Sequence, residues 1–303
     1  MLAGYLWRVT SAWRPYDRSP NTVVGDLRVY AACPGPVPGR TRELYAWLPP
    51  GYESDGSRRY PVVYLQDGHS LFDRYLKADT DYPAMHIEPG EWEVDETMTA
   101  LHDEGLDAIV VGIPNAGADR VLEYTPWCDI EPDLARAIGV DAASERGRVP
   151  GQGAAYVDWM CDDVKPLVDV SFRTLTGREH TTVGGSSLGG IISLLAYRQR
   201  PEVFGAAGVF SPAFWVLGPD SVEALASDLP SGRIYLDIGG QESPEVSGLP
   251  SRYELDARRA ADLLDRQPQV DLKFVVDPEG RHHETAWAAR LPEAMRFLLG
   301  PGR

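Results

Sequence analysis

The residues best suited to covalent chemistry lie in segment 183–190, which reads Val-Gly-Gly-Ser-Ser-Leu-Gly-Gly. Ser187 has a glycine two residues before it and another two residues after it, between an apolar run and a helix-like segment. At a sharp strand-to-helix turn, such glycines let the backbones pass closely and hold the serine in a strained, exposed conformation. The pattern therefore predicts Ser187 as a nucleophile. Ser186 fails it, because Leu188 stands where the second glycine is needed.

A phosphate-binding turn is the alternative interpretation of this glycine-rich segment, since the N-termini of helices bind anions. Phosphate cradles have the patterns GxxxxGK[ST] or a GxGxxG that follows a strand. Neither pattern accompanies segment 183–190. The nucleophile interpretation is therefore preferred.

A serine nucleophile needs a general base, and after such a turn the chain order is serine, acid and then histidine. Two histidines follow Ser187, the adjacent pair His282 and His283, between the last apolar run and the last helix-like segment. This position suits a general base. A solvated loop histidine or a residue that caps the helix is the alternative role, and the predicted nucleophile at Ser187 favours the general base.

The acid of such a triad fixes the imidazole tautomer and stabilises the imidazolium, which more than one loop position can do. Glu242 is the preferred candidate because it lies in the loop that follows the apolar run 234–238. Asp237 lies within that run, so its side chain is expected to turn into the sheet. Glu245 and Asp256 remain alternatives.

Two backbone N–H groups are expected to hold the oxyanion. One belongs to Leu188, the residue after the nucleophile. The other is assigned to His69, in the Gln-Asp-Gly-His segment that follows the apolar run 61–65. Asp-Gly is also a common turn signal with no catalytic role. One such donor is typically worth roughly 3 kcal/mol of transition-state stabilisation.

These groups need a framework that brings several strand ends together. Short, nearly unbroken apolar runs are typical of strands buried on both faces, and helix-like segments lie between them, which predicts a mostly parallel central sheet with helices on both faces. Two earlier β-rich runs, 27–31 and 43–48, flank the turn-rich segment 34–39 and predict an N-terminal β-hairpin. The apolar runs are 61–65, 108–113, 181–183, 206–210, 234–238 and 272–276, and the helix-like segments are 93–102, 156–168, 188–200, 252–264 and 284–299.

One domain is expected over residues 1–303, because a chain with 43% hydrophobic residues and no long linker can bury a core of its own. Segment 128–153 carries five acidic residues with little apolar periodicity. A loop of that length is usually a lid, a binding loop or a disordered segment, so we expect a lid-like or surface insertion there.

Charge and cysteine usage exclude several kinds of partner. The formal net charge of −16 opposes phosphate backbones and anionic lipid surfaces at long range. No HExxH pattern occurs and the histidines before Ser187 are scattered, so neither a metal nor another cofactor is expected. Three cysteines without CxxC spacing favour a reducing compartment, and no apolar stretch is long enough to span a bilayer. The sequence therefore predicts a cytoplasmic protein that binds neither nucleic acid nor membrane.

With these pieces in place, the chain resembles the putative esterase family of α/β-hydrolases, which includes esterase D, the enterobactin esterases, feruloyl and acetyl-xylan esterases and the mycolyl transferases. The resemblance runs from about residue 42 to residue 299, and its motifs together are far more specific than the serine turn alone. It implies the α/β-hydrolase fold. The motifs are Tyr-Pro-Val-Val-Tyr-Leu-Gln-Asp-Gly at 60–68, Val-Gly-Ile-Pro-Asn at 111–115, Arg-Val-Leu-Glu-Tyr at 120–124, the turn at 185–190, Ser-Pro-Ala-Phe-Trp at 211–215 and the segment 280–287.

The resemblance also implies roles for individual residues. The tail His-His-Glu-Thr-Ala-Trp looks like that of the enterobactin-esterase branch, in which the catalytic histidine precedes x-Glu, and this selects His282. In esterase D the acid stands three residues beyond the glycine that ends its strand, which implies Glu242 here, a glutamate in place of an aspartate. In mycolyl transferases the residue after Asp-Gly donates an oxyanion N–H, which corresponds to His69.

Four residues are candidates for contact with a substrate: Asp67, Arg120, Tyr124 and Trp215. Arg120 and Tyr124 match a family segment near the rim of the active site, and a structural ion pair beside a packed tyrosine explains them equally well. Trp215 is a candidate for an acyl or aryl pocket, although large aromatic residues more often belong to the core.

The expected activity is carboxylic-ester hydrolysis by a Ser-His-acid triad through an acyl-enzyme, on a small-molecule ester such as a sugar, siderophore or small acyl ester. An acyltransferase would use the same triad with an alcohol in place of water. A non-catalytic ligand-binding protein of the same fold is the alternative from another class, and the intact serine, histidine and Asp-Gly loop count against it.

Overall fold

Strands from both ends of the described chain join in one sheet. The computed structural model describes residues 13–76, 90–129, 149–242 and 251–300. The strands are β1 (Trp13–Pro15), β2 (Asp26–Pro34), β3 (Thr41–Leu48), β4 (Val62–Gln66), β5 (Ile109–Ile113), β6 (Trp127–Cys128), β7 (Val149–Pro150), β8 (Thr181–Ser186), β9 (Ala206–Phe210), β10 (Gly232–Gly239) and β11 (Val270–Asp277). Nine of them form a sheet in the order β1-β2-β3-β5-β4-β8-β9-β10-β11, and β6 pairs with β7.

The six strands from β5 to β11 in this order are all parallel to their neighbours. The predicted mostly parallel sheet is therefore confirmed. The predicted hairpin is confirmed as well, since β2 and β3 pair antiparallel, and β3 joins the parallel part by an antiparallel contact with β5. Because parallel strands end at the same edge, the loops after β4, β8, β9, β10 and β11 emerge together.

Helices cover both faces of the sheet, as the alternating pattern predicts. Side chains along β4 alternate between two cores: Val62 and Tyr64 belong to the larger one, and Val63 and Leu65 to the smaller one. Helices α3 to α7 pack in the larger core, and α1 and α8 pack in the smaller one. The α-helices are α1 (Val94–His102), α2 (Arg120–Glu123), α3 (Gly153–Trp159), α4 (Lys165–Ser171), α5 (Leu188–Gln199), α6 (Ser221–Ala226), α7 (Arg252–Asp265) and α8 (Glu284–Leu299). Short 3₁₀ turns cover Tyr52–Ser54, Gly68–Ser70, Gly117–Asp119, Arg178–His180 and Phe214–Leu217.

The helix predicted over 156–168 differs from the observed one. It begins three residues earlier, at the start of α3, and runs to the end of α4 through a π-helical turn at Met160–Val164. Pro166 lies two residues after the end of that turn and has no N–H to give to the carbonyl four residues before it. The wider turn accommodates the proline without ending the helix.

All three cysteines, Cys33, Cys128 and Cys161, are buried and none forms a disulfide. Burial raises the pKa of Cys33 to about 11 and that of Cys161 to about 12, as expected of inert thiols. Among the described residues, no helix is both long and apolar enough to cross a bilayer.

Candidate active site

Ser187 occupies the turn between β8 and α5. Its backbone angles are φ 58° and ψ −120°, a strained conformation for any residue other than glycine. A Cβ added to Gly185 would lie 2.9 Å from the backbone of Gly189, so the two glycines are needed for the turn to close. Ser187 remains partly exposed, whereas Ser186 is only 5% exposed. The local geometry is that of a nucleophile elbow.

His282 and Glu242 come together in the loops after β11 and β10. Nδ1 of His282 lies 2.7 Å from Oε2 of Glu242, and the glutamate side chain is fully buried. Such a contact fixes the tautomer in which Nδ1 carries the hydrogen and Nε2 presents its lone pair. A base oriented in this way can take a proton at Nε2 while the buried carboxylate stabilises the resulting cation.

Tyr253, at the start of α7, contacts both Ser187 and His282. Its ring centroid lies 4.8 Å from that of His282. Burial raises the pKa of Tyr253 to about 12, although Trp215 and, to a smaller extent, the Ser187 hydroxyl oppose the rise, so the phenol is neutral at pH 7. Trp287 packs edge-on against His282 at 5.1 Å and confines the imidazole further. No sequence motif indicated Tyr253, because tertiary packing alone brings the start of α7 to the elbow.

The other candidates for the acid lie elsewhere. Asp237 is fully buried in an ion pair with Arg290 at 2.7 Å, in keeping with a side chain turned into the sheet. Burial raises the pKa of Asp237 to about 6 against the opposing effect of Arg290. Asp256 lies in α7 in an ion pair with Arg252 at 3.8 Å. Glu245 falls outside the described residues.

The Asp-Gly-His segment forms a tight 3₁₀ turn after β4. Asp67 adopts φ 57°, and its carboxylate accepts hydrogen bonds from Arg120 at 2.7 and 2.8 Å and from Asn115 at 2.6 Å. Its N–H donates to the hydroxyl of Tyr124 at 3.2 Å. Burial by itself would raise the pKa of Asp67, but Arg120 and Asn115 outweigh it and hold the pKa below its usual value. These contacts fix the turn that carries His69.

The two segments assigned to the oxyanion hole are adjacent. A Cβ on Gly189 would lie 3.1 Å from Oδ2 of Asp67, so the elbow and the Asp-Gly turn pack directly together. Leu188 is the first residue of α5, and amides of a first helical turn have no acceptor within their own helix. His69, in the facing turn, is 7% exposed.

The structure separates the four substrate-contact candidates into two groups. Arg120 is paired with Asp67 and lies over the ring of Tyr124 at 5.3 Å, and Tyr124 is fully buried. This arrangement fits the structural alternative for Asp67, Arg120 and Tyr124. Trp215 is partly exposed and packs against Tyr253 at 5.8 Å, beside the candidate triad. Substrate contact stays a prediction for all four.

The start of the predicted insertion packs against the 3₁₀ turn 214–217, which contains Trp215. β6 and β7 pair and so bring the two ends of the insertion together. The indole N–H of Trp127 donates to the carbonyl of Leu217 at 2.8 Å. The N–H of Asp129 donates to the carbonyl of Val216 at 3.0 Å. The rest of the insertion, 130–148, lies outside the described residues.

Comparisons with known proteins agree with this architecture. A family model described as "Putative esterase" matches residues 35–298. The uncharacterized protein YbbA of Bacillus subtilis is 24% identical over 266 residues, which cover 86% of this chain and 94% of YbbA. The crystal structure of an IroE-like serine hydrolase from Shewanella oneidensis has a TM-score of 0.66 at 22% identity, over 90% of this chain and 80% of that one. The enterobactin esterase FES from Shigella flexneri has a TM-score of 0.59 at 17% identity, over 94% of this chain and 60% of that one.

Proposed function

The chain belongs to the putative esterase family and is a carboxylic ester hydrolase, and we propose that it works through a triad of Ser187, His282 and Glu242. The observation that carries the proposal is the hydrogen bond of 2.7 Å between His282 Nδ1 and the buried Glu242 carboxylate, at the sheet edge where the strained Ser187 turn also lies. Serine, base and acid thus emerge from three strands whose ends meet at one edge.

In the proposed reaction, Ser187 Oγ attacks the ester carbonyl while Nε2 of His282 takes its proton. Glu242 stabilises the imidazolium that forms. The amides of Leu188 and His69 hold the oxyanion of the tetrahedral intermediate. His282 then protonates the departing alcohol, and water activated by the same base hydrolyses the acyl-enzyme.

The substrate is proposed to be a small-molecule ester of the sugar, siderophore or simple acyl kind. The similarity to an enterobactin esterase supports this class without choosing within it. Three buried thiols without a disulfide fit a reducing compartment, so a cytoplasmic location is part of the proposal.

The test compares Ser187→Ala with Ser186→Ala, since the two serines are adjacent and only the first lies at the exposed turn. Hydrolysis of p-nitrophenyl esters should fall by several orders of magnitude in Ser187→Ala and far less in Ser186→Ala, with both variants folded by circular dichroism. A fluorophosphonate probe should modify Ser187, as located by peptide mass spectrometry. Equal losses in the two variants, or a label on another serine, would contradict the assignment of the nucleophile.

A further inference from the structure

We propose that Ser211, the residue directly after β9, is a positioning residue for the triad acid Glu242, and that Arg290 and Trp287 lock its hydroxyl as a donor. The inference rests on the proposed triad. It goes beyond it because motif 211–215 contains Ser211 but gives this serine no role. Ser211 is fully buried, so it acts on the reaction through Glu242 and not by touching substrate.

The donors around Ser211 Oγ determine where its own hydrogen points. A serine hydroxyl has one hydrogen and two lone pairs, whereas an indole N–H and a guanidinium can only donate. Trp287 Nε1 donates to Ser211 Oγ at 2.9 Å, and Arg290 Nη2 donates to it at 3.1 Å. These two donors use both lone pairs. The single hydrogen therefore points to Oε1 of Glu242, to which Ser211 Oγ donates a hydrogen bond.

This donor fixes Oε1 of the Glu242 carboxylate and leaves Oε2 for the proposed base. Oε1 also accepts the N–H of Gly239 at 2.8 Å, so two donors hold it in place. Oε2 is then directed at Nδ1 of His282. A glutamate has one more rotatable bond than the aspartate that more often serves as triad acid, and its correct placement depends more on such anchors.

The backbone of Ser211 shows that the surroundings determine its position closely. Its φ of 43° is unusual for a residue with a side chain. Its N–H donates to the carbonyl and to the carboxylate of Asp237, each at 3.1 Å. Asp237 in turn holds Arg290 in a buried ion pair at 2.7 Å, which brings the guanidinium to 4.0 Å from Glu242. One buried cation thus orients Ser211 and faces the acid.

The test uses Ser211→Ala and Ser211→Gly, with Ser193→Ala as the matched control for loss of a buried hydroxyl, since the Ser193 hydroxyl donates within its own helix to the carbonyl of Gly189. Loss of a hydrogen bond to a charged acceptor should lower kcat roughly tenfold to hundredfold, with KM changed by less than about twofold. The downfield proton resonance of His282 Nδ1–H should shift or disappear in both Ser211 variants and persist in the control. Glycine relieves the backbone strain, so a loss shared by both variants is due to the hydroxyl.

The outcomes separate this inference from the proposed triad. An inactive wild-type protein, or one in which Ser187→Ala keeps full activity, overturns the triad itself. An active wild type whose folded Ser211→Ala and Ser211→Gly variants keep kcat and the downfield resonance overturns the inference alone. Recovery of kcat in the glycine variant would also overturn it, because packing strain and not the hydroxyl would then explain the alanine result.

Discussion

At the scale of single residues, the local backbone gives two adjacent histidines different surroundings. His282 lies between Tyr253 and Trp287 with Nδ1 on a buried carboxylate. His283 precedes α8 in an extended conformation, and its Nδ1 accepts the N–H of Thr285 at 3.2 Å, which makes it the N-cap of that helix. Position in the sequence did not decide which of the two histidines is the base, and the capping role accounts for His283.

This difference predicts a loss of activity for one alanine variant and a loss of stability for the other. His282→Ala should be nearly inactive with a folded structure, because the proposed base is lost. His283→Ala should keep most of its kcat/KM but lose about 1 kcal/mol of unfolding free energy, since an N–H of α8 loses its acceptor. His283→Asn, which supplies a favoured cap, should regain that stability in thermal unfolding. Full activity of His282→Ala in p-nitrophenyl ester hydrolysis would refute its role.

The residue scale also shows which parts of the site a sequence can reveal. Ser187 stands in a short pattern whose glycines are needed within two residues of it, so its neighbours in the chain identify it. Ser211 bonds to Glu242 across 31 residues and to Arg290 across 79 residues. No local pattern encodes such contacts, because the strand order of the sheet creates them. Tyr253 was not predicted, for the same reason.

At the scale of elements, strands that are buried on both faces could be predicted well because their composition leaves few other structures. β9 coincides with the apolar run 206–210, and β4, β5, β8 and β10 overlap the runs that predicted them. β11 also overlaps its run, although it is an edge strand that is only partly buried along its whole length. Helix α6 was not predicted. It has only six residues, which is too few to show a helical period. Its apolar residues Val222 and Leu225 are buried by packing in the larger core, which the local sequence does not indicate.

Helix α1 carries a buried carboxylate in its first turn, and this makes stability depend on pH. Asp95 is fully buried, and its Oδ2 accepts the N–H of Val24 at 2.6 Å, while its Oδ1 accepts no hydrogen bond from the residues that the structure describes. Burial, together with the neighbouring Glu96, raises the pKa of Asp95. The folded chain therefore binds a proton here that the unfolded chain releases above about pH 4. This contribution to stability is complete below that pH and is lost as the pH rises toward the raised pKa.

Asp95→Asn should accordingly stabilise the protein at neutral pH, because the neutral amide needs no proton and can still accept from Val24. We expect a gain of about 1–3 kcal/mol in the free energy of unfolding at pH 7 and little gain near pH 4. Urea unfolding across this range measures it. Asp103→Asn, at the exposed end of the same helix, is the control and should change little at either pH. A loss of stability at pH 7 in Asp95→Asn would show that the ionised carboxylate is favoured in the fold.

At the scale of the whole molecule, net charge sets which esters approach the site most readily. The chain carries −16 from 45 acidic and 29 Lys and Arg residues, and the field of so many like charges extends into the solvent around the sheet edge. Ionic strength of 0.15 M limits its reach to about 8 Å. Ser187 is partly exposed at that edge, so charged substrates meet this field before they meet the triad.

Salt should therefore act on substrates in opposite directions according to their charge. For p-nitrophenyl esters with anionic, neutral and cationic acyl chains of equal length, raising the salt from about 10 mM to 300 mM should increase kcat/KM for the anionic ester and decrease it for the cationic one. The neutral ester is the control and should stay nearly constant, since chemistry at Ser187 does not change with screening. The effect should appear in KM more than in kcat, because long-range charge alters encounter and not the barrier after binding. A decrease for the anionic ester would mean that cations near the site, such as Arg120, outweigh the net charge of the molecule.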